Sequence, residues 1–457
     1  MATGKRFPTT RELAERTPPD RDRVVDLVRA VALALVITGH SVMALVIFKP
    51  SGAELSNTLA QTPALQPITW VLQIMPLFFA AGAWVNSLSY GRATSYSEWL
   101  SVRVRRLLRP VLGYVAFWLL ISPVLLAWNT NVALPLLRIS TQLLWFLGAY
   151  LLVTALTPVL RRGAARPAFA TAGWLAAVAV VDLIRLSGGP AGVGLLNFVF
   201  GWALAGQTGL WLFDASRRPS RRTALQIAGG AFTANVLMVA LGPWPRSMVG
   251  LPGERISNMA PPSLVLGLHA ITLAALVAAS YAQLERLASA TRIWLPTVAI
   301  NAAAMTIYLW HLVALIVALL IVNLAGLDLV GYSTSGWVGP RLLFWSSFAL
   351  LTLILVRTFR PLEHAKLPWW DAAASFSPTR TWTYRWRSAV SVGGVLLTAI
   401  ALLALSVTGL VGFPFNSSVS YAGFSFTPGL AIGVAAIGLV LIRIAAVGNP
   451  TPDGRRL

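Results

Sequence analysis

The stretch LVRAVALALVITGHSVMALVIF, residues 27–48, contains one arginine, one histidine and otherwise apolar or small residues. A helix of about 20 mainly apolar residues, rising 1.5 Å per residue, crosses the hydrocarbon core of a bilayer. We therefore predict that residues 27–48 form a membrane-spanning helix.

Similar apolar stretches recur along nearly the whole chain. Of its 457 residues, 56% are hydrophobic and only 11% are charged, which is about half the charged share of a soluble domain. We therefore predict an all-α polytopic membrane protein with about 12 transmembrane helices. The predicted spans are residues 27–48, 67–89, 110–128, 142–160, 168–184, 195–213, 223–243, 263–283, 297–322, 341–356, 389–411 and 427–446.

The net charge of +21 lies in short basic clusters between these spans. With the N-terminus inside, 30 of the 36 Lys and Arg residues fall on the inner side. Because basic residues mark cytoplasmic loops, we predict a bacterial inner (plasma) membrane protein with both termini in the cytoplasm. This topology accounts for the charge, so the expected partner is the lipid bilayer and not nucleic acid. The chain has no cysteine and four scattered histidines, so we predict no metal site.

A long polar segment, residues 357–388, interrupts the apolar pattern with four tryptophans among basic residues. Tryptophan prefers the headgroup region, so we predict that this linker lies on the cytoplasmic membrane surface. The linker divides a ten-helix unit, residues 26–356, from a two-helix hairpin, residues 389–446. We expect residues 1–25 to be a disordered basic tail and residues 447–457 to be a second cytoplasmic tail.

The first span carries two ionisable side chains that share one helix face. Arg29 and His40 are 11 residues apart, a rotation of about 1100°, and His40 lies about 16 Å deeper. One interpretation is a substrate channel with an anion-binding mouth at Arg29 and a buried imidazole. The other is a snorkelling arginine and a histidine bonded to a neighbouring helix. We expect Asp26 to pair with Arg29, one turn away.

A basic cluster follows the second span. Arg103, Arg106 and Arg109 are each one turn apart on a predicted amphipathic helix. Guanidinium groups bind phosphate oxygens in pairs, so three of them on one stripe could bind phosphates. The alternatives are a topological signal or a contact with anionic lipid.

Further polar residues are candidates for binding a substrate. His311, with Tyr308 one turn before it, lies near the middle of span nine and could bind a substrate, assist proton transfer or bond across helices. Asp182 and Arg185 are one turn apart, so we expect a local ion pair between them. Asp182 could also contact a substrate. We interpret His269 and His364 as structural. The outer loop, residues 244–262, offers further candidates or an incidental ion pair: Arg246, Glu254, Arg255 and Asn258.

Several of these residues occur, in order, in a pattern that resembles the acyltransferase 3 family of bacterial integral-membrane O-acyltransferases. The pattern consists of Arg29 and His40, the Phe78–Phe79 run ending at Gly82, and the Arg103-x-x-Arg106 motif. Two later segments are also similar to the family, namely Leu144-Trp145-Phe146 and Tyr308-Leu-Trp310-His311. The resemblance covers residues 20–360.

The resemblance implies transfer of an acyl group, often acetyl, from cytoplasmic acyl-CoA to a hydroxyl of an extracytoplasmic envelope glycan or glycolipid. Acyl-CoA would then be a substrate, and no permanently bound cofactor is implied. His40 would be the general base, Arg29 would be a second catalytic residue at the cytoplasmic mouth, about 16 Å from it, and the CoA phosphates would bind Arg103, Arg106 and Arg109. The remaining candidates would contact the acceptor or assist: His311, Tyr308, Glu254, Arg255, Asn258, Trp145 and Asp182.

Two other functions fit some of the same observations. A secondary transporter or lipid flippase would suit 12 helices with both ends inside, but such proteins carry buried acidic coupling residues and broken helices in matching halves. The predicted spans contain almost no central carboxylates. An inactive scaffold of envelope assembly is the third possibility, and the presence of His40 argues against it.

Overall fold

The computed structural model describes residues 9–49, 52–251, 254, 256–327, 329, 338–365, 367–371, 384–413, 418–421 and 424–445. Over these residues the chain is a helical bundle with two short strand pairs. The helices are α1 Thr10–Glu15, α2 Arg23–Met43, α3 Thr58–Gln61, α4 Thr69–Leu72, α5 Met75–Gly91, α6 Tyr96–Trp128, α7 Thr130–Ser140, α8 Leu144–Ala155, α9 Thr157–Gly163, α10 Pro167–Leu186, α11 Leu196–Leu212, α12 Arg221–Leu241, α13 Leu264–Ala279, α14 Tyr281–Ser289, α15 Thr291–Ala302, α16 Ala304–Leu324, α17 Val338–His364, α18 Pro368–Asp371, α19 Tyr384–Thr408 and α20 Pro428–Ala445, with 3₁₀ helices at Pro63–Ile68 and Ala191–Leu195.

The predicted all-α membrane architecture is confirmed. By length and composition, eleven helical segments in the described part of the chain can cross a membrane. The consecutive helices α13 and α14 are bent by 64° and make a twelfth crossing if they form one span. The bent pair lies where the sequence predicts the span 263–283.

The first membrane-spanning helix ends earlier than predicted. Helix α2 ends at Met43, and the chain continues as strand β1 Ala44–Lys49, paired antiparallel with β2 Gly52–Asn57. Because β1 is rich in β-branched and aromatic residues, a strand competes well with helix there. His40 therefore lies in the last turn of α2.

The basic cluster belongs to a much longer helix than expected. Helix α6 runs for 33 residues, from Tyr96 to Trp128, with Pro110 inside it. The sequence predicts that the third span begins only at residue 110. The arginines therefore continue the membrane helix and do not lie on a separate surface helix.

The C-terminal hairpin, helices α19 and α20, packs directly against the rest of the bundle. Thr141 Oγ1 donates a hydrogen bond of 2.8 Å to the carbonyl of Leu405, and the N–H of Leu410 donates one of 3.1 Å to Leu137. A second strand pair, β3 Val419–Tyr421 and β4 Phe424–Phe426, lies between the two helices. The division into a ten-helix unit and a hairpin stays a prediction, but the two share an extensive interface.

The predicted surface linker is partly helical and partly buried. Helix α17 extends to His364, and α19 begins already at Tyr384. Trp370 is fully buried, and its Nε1 donates to the carbonyl of Arg105, whereas Trp386 is exposed as expected of an interfacial residue. Trp382 lies outside the described residues.

The N-terminal segment is ordered where the sequence suggested disorder. Thr9 and Glu12 form a capping box at the start of α1, which satisfies free N–H groups of the first turn. Further along, the Asp22 carboxylate accepts hydrogen bonds from Tyr281 and Trp84. These contacts fix the chain before α2 begins. Residues 1–8 and 447–457, the ends of the two predicted tails, lie outside the described residues.

Candidate active site

The centre of the site is a pair of histidines. His40, in the last turn of α2, places its Nδ1 2.8 Å from Nε2 of His311 in α16. The ring planes differ by only 4° and the centroids are 5.2 Å apart. Rings that are coplanar at this separation meet edge to edge, so the contact is an in-plane hydrogen bond.

Backbone contacts determine which nitrogen donates. His311 is fully buried, and its Nδ1 lies 2.8 Å from the carbonyl oxygen of Tyr308. A carbonyl only accepts, so in the uncharged ring Nδ1 of His311 carries the proton and Nε2 carries a lone pair. That lone pair must accept from Nδ1–H of His40. The arrangement therefore leaves Nε2 of His40 unprotonated.

The remaining nitrogen of His40 faces open space. His40 is partly buried and lines a cavity of about 960 Å³, which we name the large cavity. None of the described residues forms a hydrogen bond with its Nε2. An imidazole nitrogen with a free lone pair at a cavity wall can accept a proton from a bound hydroxyl.

Tyr308 contributes a wall and not a reactive group. Its hydroxyl donates a 2.7 Å hydrogen bond to the carbonyl of Leu143, and its ring lies 6.1 Å from that of His311. Because the hydroxyl proton is engaged, Tyr308 serves to hold α16 against the start of α8. The predicted auxiliary role of Tyr308 stays a prediction, and this bond favours a positioning role.

Arg29 lies below His40 on the same helix, as its spacing predicts. Its Nη1 is 3.8 Å from the Asp26 carboxylate, a long ion pair, and its guanidinium lies 5.7 Å from the ring centroid of Phe78. Asp26 has a better partner in Arg21, with bonds of 2.5 and 2.9 Å. The Asp26 hydrogen bond raises the pKa of Arg21 against the lowering effect of burial. Arg29 is thus only partly neutralised.

Arg103 and Arg106 join Arg29 around a smaller cavity of about 220 Å³, which we name the basic cavity. Among the described residues, neither Arg103 nor Arg106 has an ion pair or a hydrogen-bond partner. Nε of Arg29 and Nε of Arg103 are both buried without a partner. Three guanidinium groups with unused donors at one cavity form a site suited to phosphate oxygens.

Arg109 is not part of this group. Its guanidinium forms an ion pair with Asp371 in α18 and also approaches the carbonyl of Glu363. The physical reason is helical drift, since residues three apart are rotated by 300° and not by a full turn. From Arg103 to Arg109 the drift reaches about 120°, which turns Arg109 toward a different neighbour.

A third cavity lies between the other two. This neck cavity, of about 140 Å³, shares Arg29, Leu107 and Tyr150 with the basic cavity. It shares Val36, Met75 and Tyr308 with the large cavity. The three cavities therefore follow one another from Arg103 and Arg106, past Arg29, to His40.

Residues that the sequence analysis did not select also line the large cavity. Arg138 in the last turn of α7 and Gln142 in the turn after it line one side. Ser406 of α19, in the C-terminal hairpin, also lines the cavity. A polar pair at this spacing next to a predicted span was a usable signal. The sequence gives no such signal for Ser406, because its place in the cavity wall depends on how the hairpin packs against the bundle.

Two predicted acceptor-binding residues, Asp182 and Asn258, are bonded within the protein and line none of the three cavities. The Asp182 carboxylate accepts from Arg185, Asn197 and the N–H of Leu264, which ties α10 to the start of α13. Asn258 is fully buried. Its amide donates to the carbonyls of Pro245 and Ser247 and accepts from Ser263. Both side chains use most of their hydrogen-bonding capacity within the protein, which leaves little for a substrate.

The remaining candidate residues lie in different parts of the structure. Trp145 lines the large cavity and packs against Trp202 at 5.7 Å. Glu254 is not in the cavity wall; burial raises its pKa, and the N–H of Leu251 lowers it. Arg255 lies outside the described residues. His269, interpreted as structural, bonds the carbonyl of Gln73 at 3.1 Å.

Comparison with known proteins gives one family. The family model described as an acyltransferase domain matches residues 22–358, from the start of α2 to near the end of α17. No curated protein and no solved structure matches significantly. The C-terminal hairpin lies beyond the matched residues.

Proposed function

The chain belongs to the acyltransferase 3 family of membrane acyltransferases, and from this premise we propose that it transfers an acyl group, such as acetyl, from acyl-CoA to a hydroxyl. The acceptor in this proposal is an envelope glycan or glycolipid. One observation carries the assignment of the centre. His40 presents its unprotonated Nε2 to the large cavity because its Nδ1–H donates a hydrogen bond to Nε2 of His311.

The donor binds at the basic cavity. The phosphates of acyl-CoA interact with Arg29, Arg103 and Arg106, whose donors are largely unused. The pantetheine arm extends through the neck cavity, which is consistent with its length because Arg29 and His40 are about 16 Å apart along α2. Arg109, committed to Asp371, stays outside this binding site.

The transfer step needs one base and one attacking oxygen. Nε2 of His40 removes the proton of the acceptor hydroxyl while the oxygen attacks the thioester carbonyl carbon. The carbon–sulfur bond then breaks, and the leaving thiolate takes the proton from His40 to give free CoA. Between these two steps His40 is positively charged. Its hydrogen bond to His311 stabilises this charge, and Nδ1–H of His311 in turn donates to the carbonyl of Tyr308. Other acyl-transfer enzymes likewise use a general base that a third group holds in the correct orientation.

The direction of transfer follows from the distribution of charge. Most Lys and Arg residues lie on the side where α2 begins, which the positive-inside rule makes the cytoplasmic side. In this orientation both termini are cytoplasmic and the basic cavity opens toward cytoplasmic acyl-CoA. The large cavity then receives an acceptor from outside the bacterial inner membrane.

The test uses the full-length chain in phosphatidylcholine nanodiscs with labelled acetyl-CoA and a cell-envelope extract. We expect a labelled acceptor with the wild-type chain and none with His40→Gln, although His40→Gln still binds acetyl-CoA. His269→Gln is the matched control, because His269 is also buried and bonded to a carbonyl but lies outside the cavities. Normal turnover in His40→Gln would contradict the role of His40. Absence of acetyl-CoA binding to the wild-type chain would contradict the assignment of acyl-CoA as the donor.

A further inference from the structure

The large cavity is completed by a part of the chain beyond the matched family domain. The family match ends at residue 358, yet Ser406 and Val407 in the last turn of α19, and Val411 just after it, line the cavity together with His40. The C-terminal hairpin thus forms part of the wall around the proposed acceptor site.

The same end of the hairpin holds helix α7 in place. Gly409 has a φ of +67°, a conformation that favours glycine. A Cβ at Gly409 would lie 2.8 Å from the Cα of Arg138, so only glycine allows this approach. Together with the hydrogen bond from Leu410 to Leu137, this contact fixes the backbone from which Arg138 projects.

Arg138 is a cation in the cavity wall without a counter-charge. It is exposed, and none of the described residues forms an ion pair or a side-chain hydrogen bond with it. The described lining of the large cavity contains no Asp or Glu. Much of the remaining wall is apolar, with Leu, Ile, Val and Met side chains from α2, α7 and α16. The cavity therefore combines one unpaired guanidinium with an apolar surface.

We propose that the large cavity binds an amphiphilic acceptor that carries an oxyanion, carboxylate or phosphate, and that Arg138, held by the C-terminal hairpin, binds this group. The apolar walls accommodate the acceptor's hydrocarbon part, and the cavity volume lies within the usual range for ligand sites, about 300–1,000 Å³. This inference rests on the proposed function, because it specifies the acceptor of the same reaction.

The first experiment measures equilibrium binding of three probes to the full chain in phosphatidylcholine nanodiscs, with empty nanodiscs as background. The probes are octyl phosphate, octyl glucuronide and the neutral octyl glucoside. We expect at least one anionic probe to bind about tenfold more tightly than octyl glucoside, since hydrogen bonds between charged groups are strong. Preference for octyl phosphate identifies a phosphate as the oxyanion, and preference for octyl glucuronide identifies a carboxylate.

Variants at Arg138 test which residue is responsible. Arg138→Gln is expected to lose the preference for the anionic probe, and Arg138→Lys to keep part of it. Arg246→Gln is the control, because Arg246 is also exposed but lies outside the cavity lining. Equal binding of all three probes by the wild-type chain overturns the proposal. An unchanged preference in Arg138→Gln does so as well.

A second pair of variants tests the contribution of the hairpin. Gly409→Ala places a methyl group against the Arg138 backbone and is expected to weaken binding of the anionic probe. Gly326→Ala is the control, since Gly326 has a similar φ of +70° but no neighbour within 4 Å of its Cβ position. Equal effects of the two substitutions contradict the positioning role.

Acetyl-CoA binding is measured in parallel on every variant and separates the two proposals. Acetyl-CoA binding without any charge preference among the probes refutes only the acceptor inference. Binding of anionic probes that depends on Arg138, without acetyl-CoA binding, refutes only the acyl-CoA assignment.

Discussion

His40 and His311 are 271 residues apart in the chain, yet Nδ1 of His40 lies 2.8 Å from Nε2 of His311 in one shared plane. The pair couples helices α2 and α16 at the wall of the large cavity. Because His311 in turn bonds the carbonyl of Tyr308, the orientation of His40 is determined by backbone geometry.

This chain of bonds predicts how His311 can be replaced. Glutamine can accept from His40 through its oxygen and donate to Tyr308 through its nitrogen, whereas leucine can do neither. We expect His311→Gln to lower kcat about tenfold and His311→Leu about a hundredfold or more, within the usual range for general-base catalysis. The measurement is the rate of labelled acetyl transfer, with KM for acetyl-CoA expected to change little.

A purely structural His311 would give another pattern. Both variants would then lose activity in proportion to the amount of folded protein, which size-exclusion profiles and thermal unfolding report. Equal kcat for His311→Gln and His311→Leu at equal folded fractions would argue against the relay.

The basic cavity predicts that Arg103 and Arg106 affect binding of the donor through its phosphates. A hydrogen bond to a charged group contributes about 1.5–3 kcal/mol, so Arg103→Gln or Arg106→Gln should weaken acetyl-CoA binding about tenfold to a hundredfold. Acetyl-pantetheine has no phosphate and should bind the variants and the wild type equally. Arg217→Gln, at an exposed arginine paired with Asp214, serves as the control. A similar loss for acetyl-pantetheine would place these arginines outside phosphate recognition.

Arg109 should behave differently from its two neighbours. It pairs with Asp371, and both side chains are mostly buried, so Arg109→Gln should lower the free energy of unfolding by about 1–3 kcal/mol. Acetyl-CoA affinity should change less than about threefold, below 1 kcal/mol. Asp371→Asn should have a similar effect, and the double variant should lose less than the sum of the two. Thermal unfolding in detergent measures stability, and additive losses would exclude a direct pair.

The docking of the C-terminal hairpin predicts that Gly148 in α8 tolerates no side chain. A Cβ there would lie 2.8 Å from the carbonyl oxygen of Ala399 in α19, so Gly148→Ala should destabilise the protein by about 1–3 kcal/mol. Gly173→Ala is the control, because Gly173 is also helical but has nothing within 4 Å of its Cβ position. There alanine should be neutral or should stabilise by up to about 1 kcal/mol. Similar thermal shifts for both would show that the hairpin contact is not tight.

The parts of the structure that sequence reasoning predicts are those that depend on local pattern. Apolar length located the spans, because a lipid environment leaves few alternatives to a helix. Helical rotation placed Arg29 and His40 on one face, and both line cavities of the same series. The prediction that Arg109 shares a stripe with Arg103 and Arg106 neglected the same rotation, which over six residues turns Arg109 away from Arg103 by about 120°.

Local sequence pattern could not show which distant group each side chain contacts in the folded chain. The bond between His40 and His311 joins distant segments, so no spacing reveals it. Asp182 and Asn258 looked available because a sequence does not show which backbone groups a side chain already bonds. The early end of α2 had the same cause, since the choice between helix and strand at residues 44–48 depends on pairing with β2.

The neck cavity has a consequence for the membrane in which the protein lies. A series of cavities through a bundle can also leak ions, unless one section blocks them. The neck holds about 140 Å³, and its lining combines apolar side chains such as Leu33 and Phe78 with the charged residues Arg29 and Glu363. A cation entering so small a cavity would lose much of its hydration shell, which is costly. We therefore expect the neck to limit ion leakage between the two proposed substrate sites.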